Sequence, residues 1–204
     1  MQLRHLAALL LVPLLLTACG GPAEPLWAPD EAVRKYAYRH DGPSELRLYT
    51  VVSTRNGSGA HSGLLITTPR ERILFDPAGT FKLPFAPERN DVHYGMTENA
   101  VRVYIDYHAR ETFDVIEQRI PVSPEQAAMV ARLAKDYGAV PKAQCSLSIT
   151  RIVKKVPGFG TIPVGYLPER ASAWFETLPG VTTRRISDDD ADKNHNVLLV
   201  AREG

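Results

Sequence analysis

The feature that most limits the fold is a set of three strand-like segments separated by very short turns. Residues 44–53, SELRLYTVVS, alternate and carry β-branched and aromatic side chains, and NGSG then turns the chain. Residues 60–68, AHSGLLITT, form a second run, and residues 71–77, ERILFDP, a third, with only Pro69 and Arg70 between them. So short a link calls for an antiparallel hairpin. With a two-residue turn, Thr68 faces Glu71 and Gly63 faces Asp76. Residues 61, 63 and 65 then share one face with 72, 74 and 76, which puts Asp76 diagonally across from His61. A slip of one residue would send Asp76 to the opposite face.

Helical segments follow. Thr97 caps a helix running to His108, with Val101, Tyr104, Ile105 and His108 on one stripe. TFDVIEQRIPV reads as another strand. Ser123, Pro124 and Gln126 form a capping box that opens a helix burying Val130, Leu133, Ala134 and Tyr137 and stopping at Gly138. A helix begun by Cys145 carries Ile149, Ile152, Val153 and Val156 at helical spacing. A last helix from Pro168 to about Leu178 presents Ala171, Trp174, Phe175 and Leu178, and residues 197–200 suggest a closing strand. Antiparallel strands with helices between groups define an α+β class.

The start of the chain, RHLAALLLVPLLLTACGG, has a charged residue, an apolar run and small residues before Cys19, the pattern of a secretory signal. Its end, Leu16-Thr17-Ala18-Cys19, resembles the bacterial lipobox. That resemblance implies cleavage of residues 1–18 and diacylation of Cys19, holding the chain at a membrane through lipid. Residues 19–29 then read as a tether rich in Gly, Pro and Ala, and residues 30–204 as one domain. Cleavage removes Arg4 and no acid, leaving 23 basic residues against 23 acidic ones. A neutral chain lacks the clustered basic surface that nucleic acid requires.

With Cys19 committed to lipid, Cys145 has no disulfide partner. It is either a small buried apolar residue or a nucleophile. A helix N-terminus supports the second reading, because its free N–H groups and dipole stabilise a thiolate. In GAHSGLLI, His61 stands at the mouth of a strand between Gly59 and Gly63, where an imidazole is presented at a sheet end and small neighbours leave room for another chain.

AHSGLLI followed by RILFDPAG, and much later AQCSLSI, resembles the circularly permuted branch of the NlpC/p60 papain-like cysteine hydrolases, which includes lecithin retinol acyltransferase-like proteins and some bacterial lipoproteins. The resemblance covers about residues 44–157. It implies a papain-like α+β domain with Cys145 as nucleophile, His61 as base and a polar residue on the strand after His61 as orienter. Gln144 stands where many relatives have Asn or Asp. Substrates implied by the resemblance are amide or ester bonds in cell-wall peptides or lipid acyl groups. Gly20 is not the aspartate associated with inner-membrane retention, so the lipobox resemblance places the chain on the outer membrane facing the periplasm. A different class is a lipoprotein that uses the same scaffold only to bind cell-wall peptide or a partner protein.

For the third member, Asp76 has two readings: orienter, or turn-forming aspartate in DPAG. His93, in the loop-like NDVHYG, is the substitute. His108 reads as a packed, hydrogen-bonded core residue. Six scattered histidines and one spare cysteine show no zinc spacing, so no metal is expected. DDDADKN, residues 188–194, lacks the glycine and the closing glutamate of a calcium loop and reads as a solvated turn between strands. VPGFGTIPVG has no following helical phosphate cradle and reads as a mobile loop beside the Cys145 helix; no cofactor is expected.

Overall fold

The computed structural model describes residues 21–191. Cys19, the end of the acidic run and the expected strand at 197–200 lie outside them. In chain order the elements are α1 (Asp30–Lys35), β1 (Glu45–Ser53), β2 (Gly59–Thr67), β3 (Arg72–Phe75), β4 (Glu88–Arg89), β5 (Val92–Tyr94), α2 (Glu98–His108), β6 (Phe113–Pro121), α3 (Pro124–Lys135), α4 (Cys145–Val153), α5 (Pro168–Glu176) and β7 (Thr182–Ile186). The seven strands make one antiparallel sheet in the order β4-β5-β3-β2-β1-β6-β7. This is an α+β fold.

The expected hairpin register is the one adopted: Leu64 pairs with Phe75, Leu65 with Leu74 and Ile66 with Ile73. The turn is fixed by Thr68, whose N–H donates to the Glu71 carbonyl while its Oγ1 accepts from the N–H groups of Arg70 and Glu71. In the first hairpin, Val51 pairs with His61 but Val52 with Gly59, so Ala60 is an extra residue on β2. Such a bulge bends a strand and re-aims its next side chain, here that of His61.

Alternation along the strands builds two cores. Leu46, Leu48, Leu64, Ile66, Ile73 and Phe75 face α3, α4 and α5, meeting Val130, Ile149, Ile152, Val153 and Phe175. Tyr49, Leu65, Leu74 and Val115 face the other way, onto α2 through Val101, Tyr104 and Ile105. Each fully buried aliphatic side chain contributes about 1.5–3 kcal/mol relative to exposure. Toward the far end of this second face the sheet carries charge instead: Glu45, Arg47 and Glu117 are buried, and Arg119 and Arg184 pair with Glu45 and Glu117 from the rim.

The helix starts follow their sequence signals. Thr97 caps α2 by accepting from the Ala100 N–H, and Ser123 with Gln126 closes both halves of the capping box on α3. Helix α3 ends at Lys135, and Gly138 turns the chain at φ +83°. Helix α4 is shorter than its apolar stripe: it stops at Val153, and Val156 is buried from the turn beyond. The segment expected to be mobile is tied down, since Phe159 and Ile162 are buried in the first core and the Pro157 carbonyl accepts from Gln126.

The described part of the segment expected to be a tether, from Gly21 on, is held against the domain. The Gly21 carbonyl accepts from the Lys142 N–H, the Leu26 carbonyl from the Asn90 N–H, and Arg89 lies over the Trp27 ring. Strands β4, β5 and β7 and helix α1 had no sequence expectation. The first two are very short, and β7, Thr-Thr-Arg-Arg-Ile, is exposed along nearly its whole length and shows no apolar alternation.

Candidate active site

Strand β3 stops at Phe75, Pro77 offers no N–H, and β2 therefore has no neighbour on that side beside Ser62 and His61. The start of α4 fills this gap. His61 and Asp76 project from the α2 face of the sheet, whereas α4 packs on the other face, so the two halves of the site meet only because a strand ends between them.

The register-based expectation for Asp76 holds: His61 Nε2 lies 2.7 Å from Asp76 Oδ1. With Nε2 so engaged, Nδ1 is the nitrogen left for sulfur. Cys145 is buried, 6% exposed, with its thiol beside the His61 ring. Burial alone would raise the thiol pKa. The His61 imidazole, as hydrogen-bond partner and as charge, lowers it, helped by the backbone N–H groups of Ser62 and Ser146, and the net shift is downward. Burial likewise works against an imidazolium at His61, but the Asp76 charge and hydrogen bond, with a smaller share from Cys145, raise its pKa to about 10. For Asp76, burial opposes ionisation and the neighbouring imidazole overrides it, holding the carboxyl well below its usual range. The downward shift at Cys145 and the upward shift at His61 both favour a thiolate beside an imidazolium. Gln144 gives α4 no side-chain cap and its first turn has no acid, so the helix start is free to act on the sulfur.

Two glycines shape the carboxylate's seat. A Cβ on Gly63 would stand 2.1 Å from the Tyr104 hydroxyl, and one on Gly79 1.8 Å from Asp76 Oδ2. Gly63 thus makes room for a phenol reaching Asp76. Tyr104 donates to Asp76 Oδ1 at 2.8 Å, and burial, then the Asp76 charge, keep that phenol protonated far above its ordinary range. Sequence reasoning placed Tyr104 on a core stripe and missed this role; nothing in the helical spacing distinguishes a buried Tyr with a polar target from one without. The turn reading of Asp76 is also correct, because its backbone carbonyl accepts from the Gly79 N–H at 3.0 Å. Asp76 does both.

His93 differs from its expected setting. It lies on β5 opposite Leu74, is 2% exposed, and packs its ring edge-on against Phe81. The carboxylate bonded to the His61 ring is that of Asp76. His108 is hydrogen-bonded as expected, through Nδ1 to the Tyr104 carbonyl at 2.9 Å, but it also stacks on His61 with ring centroids 5.4 Å apart and planes 4° from parallel. Burial pushes its pKa down to about 4, so it is neutral. Histidines scattered in the sequence are therefore gathered in space: His61, Asp76 and His108 bring one ligand atom each within 4.8 Å of one another. The acidic run places the half-buried Asp188 and Asp190 near Asp106 in the irregular segment after β7.

A cleft of about 270 Å³, lined by His61, Gly79, Thr80, Tyr107 and His108 among others, opens on the imidazole side of the site. Larger clefts of about 540 and 440 Å³ lie between α3 and the β2–β3 turn and over the charged end of the sheet. Neither holds a nucleophile beside a base, so chemistry rather than volume selects the site.

No protein-family model, curated protein or solved structure matches this chain.

Proposed function

We propose that the chain is a lipid-anchored cysteine hydrolase or acyltransferase of the cell envelope, of the permuted papain-like type, acting on amide or ester bonds. The observation that carries this reading is the position of His61, with Asp76 2.7 Å from one ring nitrogen and the Cys145 thiol beside the same ring. Neither burial nor packing requires that order of groups, and thiol catalysis does.

The Cys145 thiolate attacks the carbonyl carbon while the first-turn N–H groups of α4 receive the developing oxyanion. As the tetrahedral adduct collapses, the His61 proton passes to the leaving amine or alcohol, and an acyl thioester on Cys145 remains. Asp76 keeps the imidazole turned toward sulfur, and Tyr104 keeps Asp76 turned toward the imidazole. Water or a second nucleophile, deprotonated by His61, then releases the acyl group. Cell-wall peptides and lipid acyl groups are the substrate classes in view, with Cys19 holding the enzyme at the outer membrane facing the periplasm.

The test is intact-mass analysis of native protein after exposure to a thiol-reactive acyl probe. One acyl adduct on Cys145, lost in His61→Ala, is the expected result. A thiol that reacts only after denaturation, at a rate indifferent to His61, overturns it and leaves the binding scaffold as the function.

A further inference from the structure

Asp76 is offered more than a triad needs. Its Oδ1 already receives both His61 Nε2 and the Tyr104 hydroxyl, while its Oδ2 is buried without a partner. Beside it stands His108, whose Nδ1 must carry the proton because the Tyr104 carbonyl can only accept. The Nε2 of His108 is therefore a lone pair. One ligand atom from each of His61, Asp76 and His108 falls within 4.8 Å of the others, and the cleft that reaches both imidazoles and Gly79 gives access from solvent. A buried orphan carboxylate oxygen beside an imidazole nitrogen with a free lone pair is an arrangement that a cation resolves.

We propose that His61, Asp76 and His108 form a binding site for a zinc-class divalent cation, and that the bound cation shuts off the thiol centre. Two imidazoles and a carboxylate are a donor set suited to zinc, leaving a fourth position toward the cleft, whereas calcium and magnesium prefer oxygen ligands throughout. Ligand atoms about 2.0–2.1 Å from zinc stand roughly 3.3 Å apart in a tetrahedron, so the trio must close from within 4.8 Å and one imidazole must turn out of the parallel stack for both lone pairs to meet the ion. The supporting shell is in place: the Tyr104 carbonyl fixes the tautomer of His108, and the Tyr104 hydroxyl holds Asp76. Binding exchanges the proton between His61 Nε2 and Asp76 Oδ1 for the metal, and that proton leaves to solvent. With Nε2 on a metal, His61 no longer shuttles protons for Cys145. The inhibitory half of this inference rests on the thiol reading above; the binding half does not.

The experiment is titration of the untagged, metal-free full chain with Co²⁺ followed by visible absorption, and with Zn²⁺ by calorimetry. Expected are one site per chain, tetrahedral cobalt bands without a sulfur-to-cobalt charge-transfer band, and the same spectrum in Cys145→Ser. Binding should weaken at least about tenfold in His108→Ala and in His108→Phe, the second of which keeps the ring packing. Binding equal to wild type in either His108 variant overturns the site. Zinc that binds without slowing alkylation of Cys145 overturns the inhibitory half. A thiol already inert in the metal-free protein overturns the catalytic reading, and with it inhibition, while the cobalt titration still decides whether the site exists.

Discussion

His61 and Tyr104 bond to the same oxygen of Asp76, at 2.7 and 2.8 Å, one from the mouth of a strand and the other from the middle of a helix. A carboxylate gripped in this way cannot rotate without breaking both bonds. The imidazole it holds is therefore fixed by the packing of α2 on the sheet, and the site's geometry depends on the second core.

Replacing Asp76 by Asn removes the charge that keeps His61 protonated. The pKa of His61 falls, the thiolate loses its imidazolium, and the thiol pKa rises. The pH profile of Cys145 alkylation by iodoacetamide should move upward by roughly one to three units, the effect of losing a close opposite charge. An unshifted profile would take Asp76 out of the site.

Gly63→Ala puts a methyl 2.1 Å from the Tyr104 hydroxyl and 3.3 Å from Asp76 Oδ1. Tyr104 must withdraw, and both stability and the thiol's acidity suffer. Overpacking of this kind costs about 1–3 kcal/mol, to be read as a lower midpoint in chemical denaturation. Gly63→Ala combined with Tyr104→Phe removes the clashing oxygen and should recover part of the stability but not the alkylation profile.

Asp91 gives a pH dependence of defined sign. It is 8% exposed, and burial raises its pKa from 3.8 to about 6, against the hydrogen bond its Oδ2 accepts from the Val140 N–H at 2.7 Å. A folded pKa above the unfolded one means stability that is complete below the unfolded value and is lost as pH rises through the folded value. Asn at this position keeps an acceptor for Val140, tolerates the φ of +67°, and does not ionise. The stability of Asp91→Asn relative to wild type should therefore increase between pH 4 and pH 7, by up to about 3 kcal/mol for a shift of about two units. Urea denaturation at the two pH values measures it, and a constant difference would show that Asp91 does not titrate as described.

Ser123→Ala deletes the α3 cap far from sulfur. It should cost about 0.5–2 kcal/mol of stability and leave the Cys145 alkylation profile where it was. A changed profile would mean that α3 and α4 are coupled through Gln126, which also donates to the Pro157 carbonyl.

Cys19→Ser tests the anchor. The variant should accumulate as unprocessed or soluble protein and carry no lipid by mass spectrometry. A mature-length acylated chain still bound to membrane would overturn the lipobox reading.

The sequence by itself determined what is decided over short stretches of chain. Two residues between Thr68 and Glu71 leave one good turn, and the turn sets the register that puts Asp76 on the His61 face. Thr97, Ser123 and Gln126 open helices because their side chains satisfy N–H groups three residues away. The position of Cys145 at a helix start was legible from the helical spacing of Ile149, Ile152 and Val153 behind it. What the sequence did not determine depends on elements distant along the chain. Ala60 as a bulge residue is visible only against Val51 and Val52 of the partner strand, and the roles of Tyr104 and His108 only once α2 lies across β2 and β3. An apolar stripe says that a side chain is buried, not what it is buried against. Strands β4, β5 and β7 are too short or too polar to show a period, and they pair because a sheet edge was already there. The meeting of Cys145 with His61 was decided by tertiary structure alone: β3 ends at Phe75, and a helix from seventy residues further on fills the space it leaves.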